Sequence, residues 1–370
     1  MSPMLPAPPK SFGMLGDVLI SALGCVLGET NPLKLTKKRS VCVILVDGLG
    51  SHNLKSAGAH AGFLNSRTSL PASCFFPATT ATSIVSFSTG KPPWETKFIG
   101  YQIFEKSSKT KRNLLTGWES SNAAHEYQPL QNISELALEQ SVEFHTIAPS
   151  AYKDSGFTAA TMRGSDFHGT KSLAERFEIA KDLLADSKQK VIYLYVPELD
   201  QLAHAKGWQS QDWLNKLEDV DSEISSLASS LNKHSAVIVT ADHGVVDIPH
   251  SNHVYIDLHT NKEELLDVGG DTRALYLYLT DPSTTQEMLV RLEQAVGDSC
   301  YVVSPSDLID AGYWPEGIDL DSVPDILILA KKEVALYHRE FAKKKSLEMI
   351  GHHGSITSQE MSIPLITIGF

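Results

Sequence analysis

A chain of 370 residues, 42% apolar and 21% charged, has the composition of a globular protein with room for one large core or a core plus a cap. Its formal net charge of −12 argues against a nucleic-acid-binding surface. Cys25, Cys42, Cys74 and Cys300 lie far apart without CxxC spacing, which excludes a thiolate metal site and a disulfide frame as the basis of the fold.

The chain opens with a proline-rich segment at 1–9. Leu15, Val18, Leu19, Leu23, Val26 and Leu27 then recur at helical spacing and predict an amphipathic helix packed on a sheet. No basic leader precedes it and no apolar stretch reaches membrane-crossing length, so a cytoplasmic protein without a membrane partner is expected. Six apolar residues, Val41 to Val46, run into Asp47 and Gly48. That pattern reads as a strand buried on both faces, ending in a carboxylate at the edge where open α/β sheets place ligands. Asp47 would also serve as a plain helix cap. Residues 51–62 predict a weak helix, and Pro77 to Gly90 a second one, with threonines at its start and glycine as its stop.

Residues 92–135, with Trp94, Tyr101 and Trp118, read as a polar, irregular loop. Strands are predicted near 144–148 and 157–162, a helix over 173–184 and a buried strand over 191–196. Ser210 caps a long helix whose stripe of Trp213, Leu214, Leu217, Val220, Ile224, Leu227 and Leu231 faces a core. A third buried strand at 236–240 runs into Asp242 and His243. Short apolar runs around a helix at 285–296 mark residues 250–345 as a cap, inserted before a final strand at 362–369. The expected organisation is a core at 1–249, a cap at 250–345, and the last core strand with the last metal ligand at 346–370. The fold class is α/β, a central mostly parallel sheet flanked by helices on both faces, with a small cap subdomain.

Several strand ends carry acidic or histidine side chains. Asp200 and His204 stand four apart, on one face of a helical turn. Asp242–His243 directly follows a Val/Ile strand, where burial is costly without a partner or a metal. His352–His353 lies between glycines. Each piece alone is a weak signal; together they predict a metal site. Asp47, Asp242 and His243 form one three-ligand set, and Asp200, His204 and His353 another, enough for two divalent cations. Zn2+ is expected first, with Mn2+ or Fe as alternates for such a ligand set. Thr80, at a helix N-terminus, is the candidate nucleophile, a hydroxyl that needs a metal to be reactive near neutral pH. Thr79 and Thr82 are the neighbouring alternatives.

The ordered set Val46-Asp47-Gly48, Pro77-Ala-Thr-Thr80 through Thr89-Gly90, Glu198-Leu-Asp200-Gln-Leu-Ala-His204, Ala241-Asp242-His243-Gly244 and Gly351-His-His353-Gly354 resembles the alkaline phosphatase superfamily. Its nearest match is the nucleotide pyrophosphatase/phosphodiesterase (type I phosphodiesterase) branch. The resemblance spans residues 41 to 354. It implies an alkaline-phosphatase-like fold, Thr80 as the nucleophile, and His353 rather than His352 as the ligand. It also implies hydrolysis of phosphodiester or pyrophosphate bonds in small phosphoester or nucleotide substrates, by double displacement through a threonyl intermediate. Where that branch often has an asparagine that helps hold the phosphoryl oxygen, this chain has Ser83. The sulfatase signature is missing around Cys74. Aromatics such as Tyr101 lean towards a diester substrate, whereas Arg163 and Arg273, as possible phosphate contacts, lean towards a monoester. The rival functions are a phosphomonoesterase or metal-dependent phosphomutase of the same superfamily, and a non-catalytic metal- or phosphate-binding protein.

Overall fold

The computed structural model describes residues 5–9, 11–118, 120–318 and 320–370; residues 1–4 of the proline-rich start lie outside the described residues. In chain order come β1 (Gly13–Met14), α1 (Gly16–Leu27), β2 (Ser40–Val46), β3 (Ser69–Ser73) and α2 (Thr80–Thr89). Next are β4 (Gln102–Glu105), β5 (Thr110–Asn113), β6 (Glu143–Pro149), β7 (Asp166–Thr170), α3 (Leu173–Ala185) and β8 (Lys190–Val196). They are followed by α4 (Glu198–Lys206), α5 (Gln211–Ser229), β9 (Ser235–Thr240), β10 (Leu265–Asp271) and β11 (Ala274–Leu279). The last are α6 (Thr285–Val296), β12 (Cys300–Val303), β13 (Ile326–Ala330) and β14 (Ser362–Ile368).

The larger sheet has the order β1-β3-β14-β9-β2-β8-β6-β7. Neighbours from β9 to β7 are parallel, and β14 alone runs against its neighbours β3 and β9. All seven residues of β2 are buried, as its unbroken apolar run requires of a strand covered on both faces. On α1, Val18, Leu19, Leu23 and Val26 are buried against β2 and β8, while Leu27 is half-buried. On α5, Trp213, Leu217, Val220, Ile224 and Leu227 are fully buried, each contributing about 1.5–3 kcal/mol of transfer free energy. Ser210 caps that helix by accepting from the Trp213 N–H.

The smaller sheet has the order β12-β13-β11-β10-β4-β5. Its strands β4 and β5 come from the stretch expected to be irregular; β5 is polar and β4 has only Ile103 and Phe104 as apolar residues, so no apolar run announces them. Every residue of β11 is buried, and its alternation divides two cores. Ala274, Tyr276 and Tyr278 join the core of the larger sheet, while Leu275, Leu277 and Leu279 pack with Met288, Leu292 and Val296 of α6.

The predicted strand at 157–162 is instead the helix Gly156–Thr161, whose cap Ser155 accepts from the Thr158 N–H. A serine cap and packing against the helix Ser121–Tyr127 prevail over the local strand propensity. The strand of this region is β7, at the sheet edge, and only one of its five residues is buried.

Candidate active site

Three parallel strands end at one edge of the larger sheet. Asp47 follows β2 directly, Asp200 sits in the first turn of α4 after β8, and Asp242 and His243 follow β9. The pairing of Gly351–His352 with Val246–Asp247 brings the 351–354 segment to the same edge. Gly48 takes φ +74°, and a Cβ there would stand 3.1 Å from Cβ of Asp200, so glycine lets the first turn approach α4 closely.

Each carboxylate is held by one oxygen and leaves the other without a partner. Oδ2 of Asp47 accepts from the Tyr195 hydroxyl. Oδ1 of Asp242 accepts from the Gly48 N–H at 3.1 Å and the His243 N–H at 3.0 Å. Oδ2 of Asp200 lies 3.2 Å from Nε2 of His204. Asp47 Oδ1, Asp200 Oδ1 and Asp242 Oδ2 are buried with no hydrogen-bond partner.

The histidines share one orientation. Nδ1 of His204 contacts the Gly351 carbonyl at 2.8 Å, Nδ1 of His353 the Ala78 carbonyl at 2.9 Å, and Nδ1 of His243 the Gly244 carbonyl at 3.3 Å. A carbonyl only accepts, so each Nδ1 carries a proton and each Nε2 turns inwards. Nε2 of His243 lies 3.5 Å from Asp47 Oδ1 and 3.3 Å from Asp242 Oδ2; Nε2 of His353 lies 3.9 Å from Asp200 Oδ1. The His243 and His353 rings are stacked at 3.7 Å.

Burial, then the charges of Asp242 and Asp200, hold Asp47 well above the ordinary carboxylate range. Burial and Asp200 likewise push Asp242 up to about 6. Burial drives His243 and His353 down to about 4, as neutral imidazoles. Burial also opposes charge on His204, but Asp200 prevails and lifts it to about 9. Unpartnered carboxylate oxygens facing imidazole lone pairs cost energy unless a cation lies among them, so the residues fit divalent metal ions. Ligand atoms of Asp47, Asp242 and His243 lie within 4.8 Å of one another, as do those of Asp200, His243 and His353. In the second group His243 stands where the spacing suggested His204, which instead faces Asp200 from the side.

Thr80 is the first residue of α2, and its hydroxyl donates to Nε2 of His243 at 3.1 Å. Thr79 lines the cavity in front of the site, whereas Thr82 is fully buried with an unpartnered hydroxyl. Ser83 is also buried with an unpartnered hydroxyl and does not line the cavity. Nδ1 of His352 accepts from the Thr272 hydroxyl at 2.8 Å and Nε2 donates to the Met349 carbonyl at 3.2 Å, so this ring is satisfied away from the carboxylates.

The cavity measures about 770 Å3 and is walled by Tyr101, Leu115, Leu275, Leu336, Tyr337 and Phe341, with Lys343 and Lys345 also along it. Neither arginine flagged by the sequence lines it. Arg273 forms a buried ion pair with Glu360, and Arg163 binds Glu135 and the carbonyls of Gln128, Ala160 and Leu130. Trp118 packs against Phe98 and Tyr127, and Trp94 against Phe75. Two residues of the site escaped sequence reasoning. Tyr195 signals itself only as a phenol in a buried strand, which needs a partner. Asp271, at the end of β10, lines the cavity and is held above the carboxylate range by burial; no apolar run leads into it as one leads into Asp47.

The family model for type I phosphodiesterase / nucleotide pyrophosphatase matches residues 41–356. The chain belongs to this family. The phosphodiesterase is thus a hydrolase of phosphoester or phosphoanhydride bonds in a metal-dependent family, and candidate ligand groups stand at its strand ends. Among solved structures, murine ectonucleotide pyrophosphatase/phosphodiesterase 5 is similar with a TM-score of 0.70 and 15% identity, covering 89% of this chain and 87% of that one. The human protein of the same name gives 0.67 and 14%, covering 90% and 88%. An inactive form of the murine protein, solved in complex with AMP, gives 0.68 and 14%, covering 88% and 87%. At these identities the likeness speaks for the fold, which is alkaline-phosphatase-like. No curated protein matches the chain. Among the described residues no helix is long and apolar enough to cross a membrane.

Proposed function

We propose that the phosphodiesterase cleaves phosphodiester or pyrophosphate bonds of small nucleotide-type substrates through a covalent intermediate on Thr80. The observation that carries this is the Thr80 hydroxyl, 3.1 Å from Nε2 of His243 and beside three carboxylates that each keep one unpartnered oxygen. Asp47, Asp242 and His243 would hold one divalent ion, and Asp200 and His353 a second, with His243 within reach of both groups and His204 beside Asp200 as the further ligand the spacing suggested. Zinc stands ahead of manganese or iron for this donor set. Bound there, the ions supply charge neutralisation of the carboxylates, an acidified Thr80 hydroxyl and stabilisation of the phosphoryl oxygens. Thr80 Oγ1 gives up its proton to solvent and attacks phosphorus, breaking the bond to the leaving group, which departs on the opposite side and takes a proton from water. Water then hydrolyses the threonyl ester with a second inversion. Thr79 makes no side-chain cap, which leaves first-turn N–H groups of α2 available to a phosphoryl oxygen.

The inactive murine relative was solved with AMP, and the apolar wall of the cavity suits a nucleoside or another ester group. Tyr101, on that wall, is the substrate contact of choice; Ser83, below the surface, is the weaker one. Lys343 and Lys345 suit a further phosphate and favour a second reading, a phosphomonoesterase acting on a dianion. No arginine lines the cavity among the described residues, which favours the diester. Four buried cysteines, all free, support a reducing compartment such as the cytoplasm.

The test compares hydrolysis of bis-p-nitrophenyl and mono-p-nitrophenyl phosphate with and without chelator, alongside metal content. Chelator-sensitive cleavage favouring the diester, with at least two ions per chain, is expected for such a site. Thr80→Ala should lower turnover by about 10^3-fold or more and leave metal uptake intact. Unchanged turnover in that variant would move the nucleophile elsewhere, and faster monoester cleavage would favour the second reading.

A further inference from the structure

At the far edge of the larger sheet, β6 and β7 run parallel with His145 opposite Asp166. Two-residue alternation then places Glu143 and His145 of β6 on the same face as Asp166 and His168 of β7. Nδ1 of His145 lies 3.1 Å from Nε2 of His168 and 3.6 Å from Oδ2 of Asp166, and Nε2 of His168 lies 3.5 Å from that same oxygen. A tetrahedral zinc ion with bonds of about 2.0–2.1 Å separates its ligand atoms by about 3.3–3.4 Å, and these three edges bracket that value. The other ring nitrogen of His145 faces Oε2 of Glu143 at 3.4 Å, the partner that keeps a proton on Nε2 and turns the Nδ1 lone pair towards the shared centre.

From this geometry we infer a further metal site, in which His145 Nδ1, His168 Nε2 and Asp166 Oδ2 bind one zinc-class divalent ion, with Glu143 as the positioning residue. The donor set of two imidazoles and one carboxylate suits a transition ion over calcium or magnesium. Nearby positive charge is already compensated. Lys190 pairs with Asp186 at 2.6 Å and lies 3.4 Å from Glu143, and Lys188 pairs with Glu143 at 2.6 Å. His145 is nearly buried, with a side chain 10% exposed, while Asp166 at 70% leaves the fourth position open to water. The ion ties the edge strand β7, the source of two ligands, to β6. Its role is to fasten an edge strand that has hydrogen-bond partners on one side only.

The experiment strips the full-length protein of metal, restores Zn2+ by equilibrium dialysis and compares wild type with His168→Ala. The variant should take up one zinc equivalent fewer, hydrolyse bis-p-nitrophenyl phosphate at the wild-type rate, and lose part of the zinc-dependent rise in Tm. Glu143→Gln should keep the equivalent but bind it about 10–100-fold more weakly. Should His168→Ala fail to fold, Asp166→Asn serves instead, because its side chain is mostly in solvent. Equal zinc uptake and an equal zinc-dependent Tm rise in wild type and variant would overturn the site and leave a hydrogen-bonded histidine pair.

Discussion

Asp47 shows how a buried strand delivers a carboxylate to the sheet edge. Its placement was legible because six apolar residues commit the preceding strand to the core, so the next polar residue emerges at the sheet edge. Asp242 and His243 were legible for the same reason. What the sequence did not disclose is the support: the Tyr195 hydroxyl on Asp47, and the three carbonyls of Ala78, Gly244 and Gly351 that set the histidine tautomers. Such partners are distant in the chain and carry no spacing rule. Tyr195→Phe keeps the packing and removes only the hydrogen bond, so metal affinity should fall about 10–100-fold with little change in folding. Competition with a chromogenic chelator would measure it, and an unchanged affinity would relieve Tyr195 of that role.

Between elements, the buried pair of Arg273 and Glu360 acts as a clamp. Arg273, just before β11, donates to both Glu360 oxygens at 3.1 and 2.7 Å and to the carbonyls of Lys332 and Val334. Glu360, just before β14, also accepts from the Ser355 N–H and the Thr357 hydroxyl. Burial works against the charged Glu360, yet Arg273 and these donors hold its carboxyl below the ordinary range. Because the folded value is the lower one, the stabilisation is full above the unfolded carboxylate range and is lost as pH falls through the folded value. Arg273→Ala leaves a buried charge unpaired and should cost about 3–5 kcal/mol at pH 7 by urea denaturation. That deficit should shrink at low pH, where Glu360 in the variant takes up a proton; a deficit that grows on acidification would contradict the clamp. The sequence offered Arg273 as a phosphate contact because an isolated arginine reveals neither burial nor partner. β7 and the helix Gly156–Thr161 were misplaced for a related reason, since an edge strand needs no apolar run and a short helix can be set by its cap.

For the whole molecule, the parallel sheet and its flanking helices were readable from β2, β8, β9 and α5, where apolar patterning is strong. The relation of residues 250–345 to the rest was not. Their sheet recruits β4 and β5 from the 92–135 stretch, and β11 lends alternate side chains to both cores. Tyr276 reaches the Ile99 carbonyl at 2.8 Å, a further tie across the two. Calorimetry of the full chain should therefore give one cooperative transition, with calorimetric and van't Hoff enthalpies in agreement. A separate early transition arising from residues 250–345 would count against a shared core.

The cavity lies along the seam of the two sheets. Its floor carries Thr80, Asp200, His204 and His353, whereas its walls are drawn largely from β10, β11 and residues 336–349. On the proposed reading, reactivity and selectivity would reside on different parts of the framework. Exchanges at the wall would leave the proposed ligand atoms in place and would register in KM before kcat. On that reading the wall, and not the carboxylates and histidines, would be the part that decides which substrate enters.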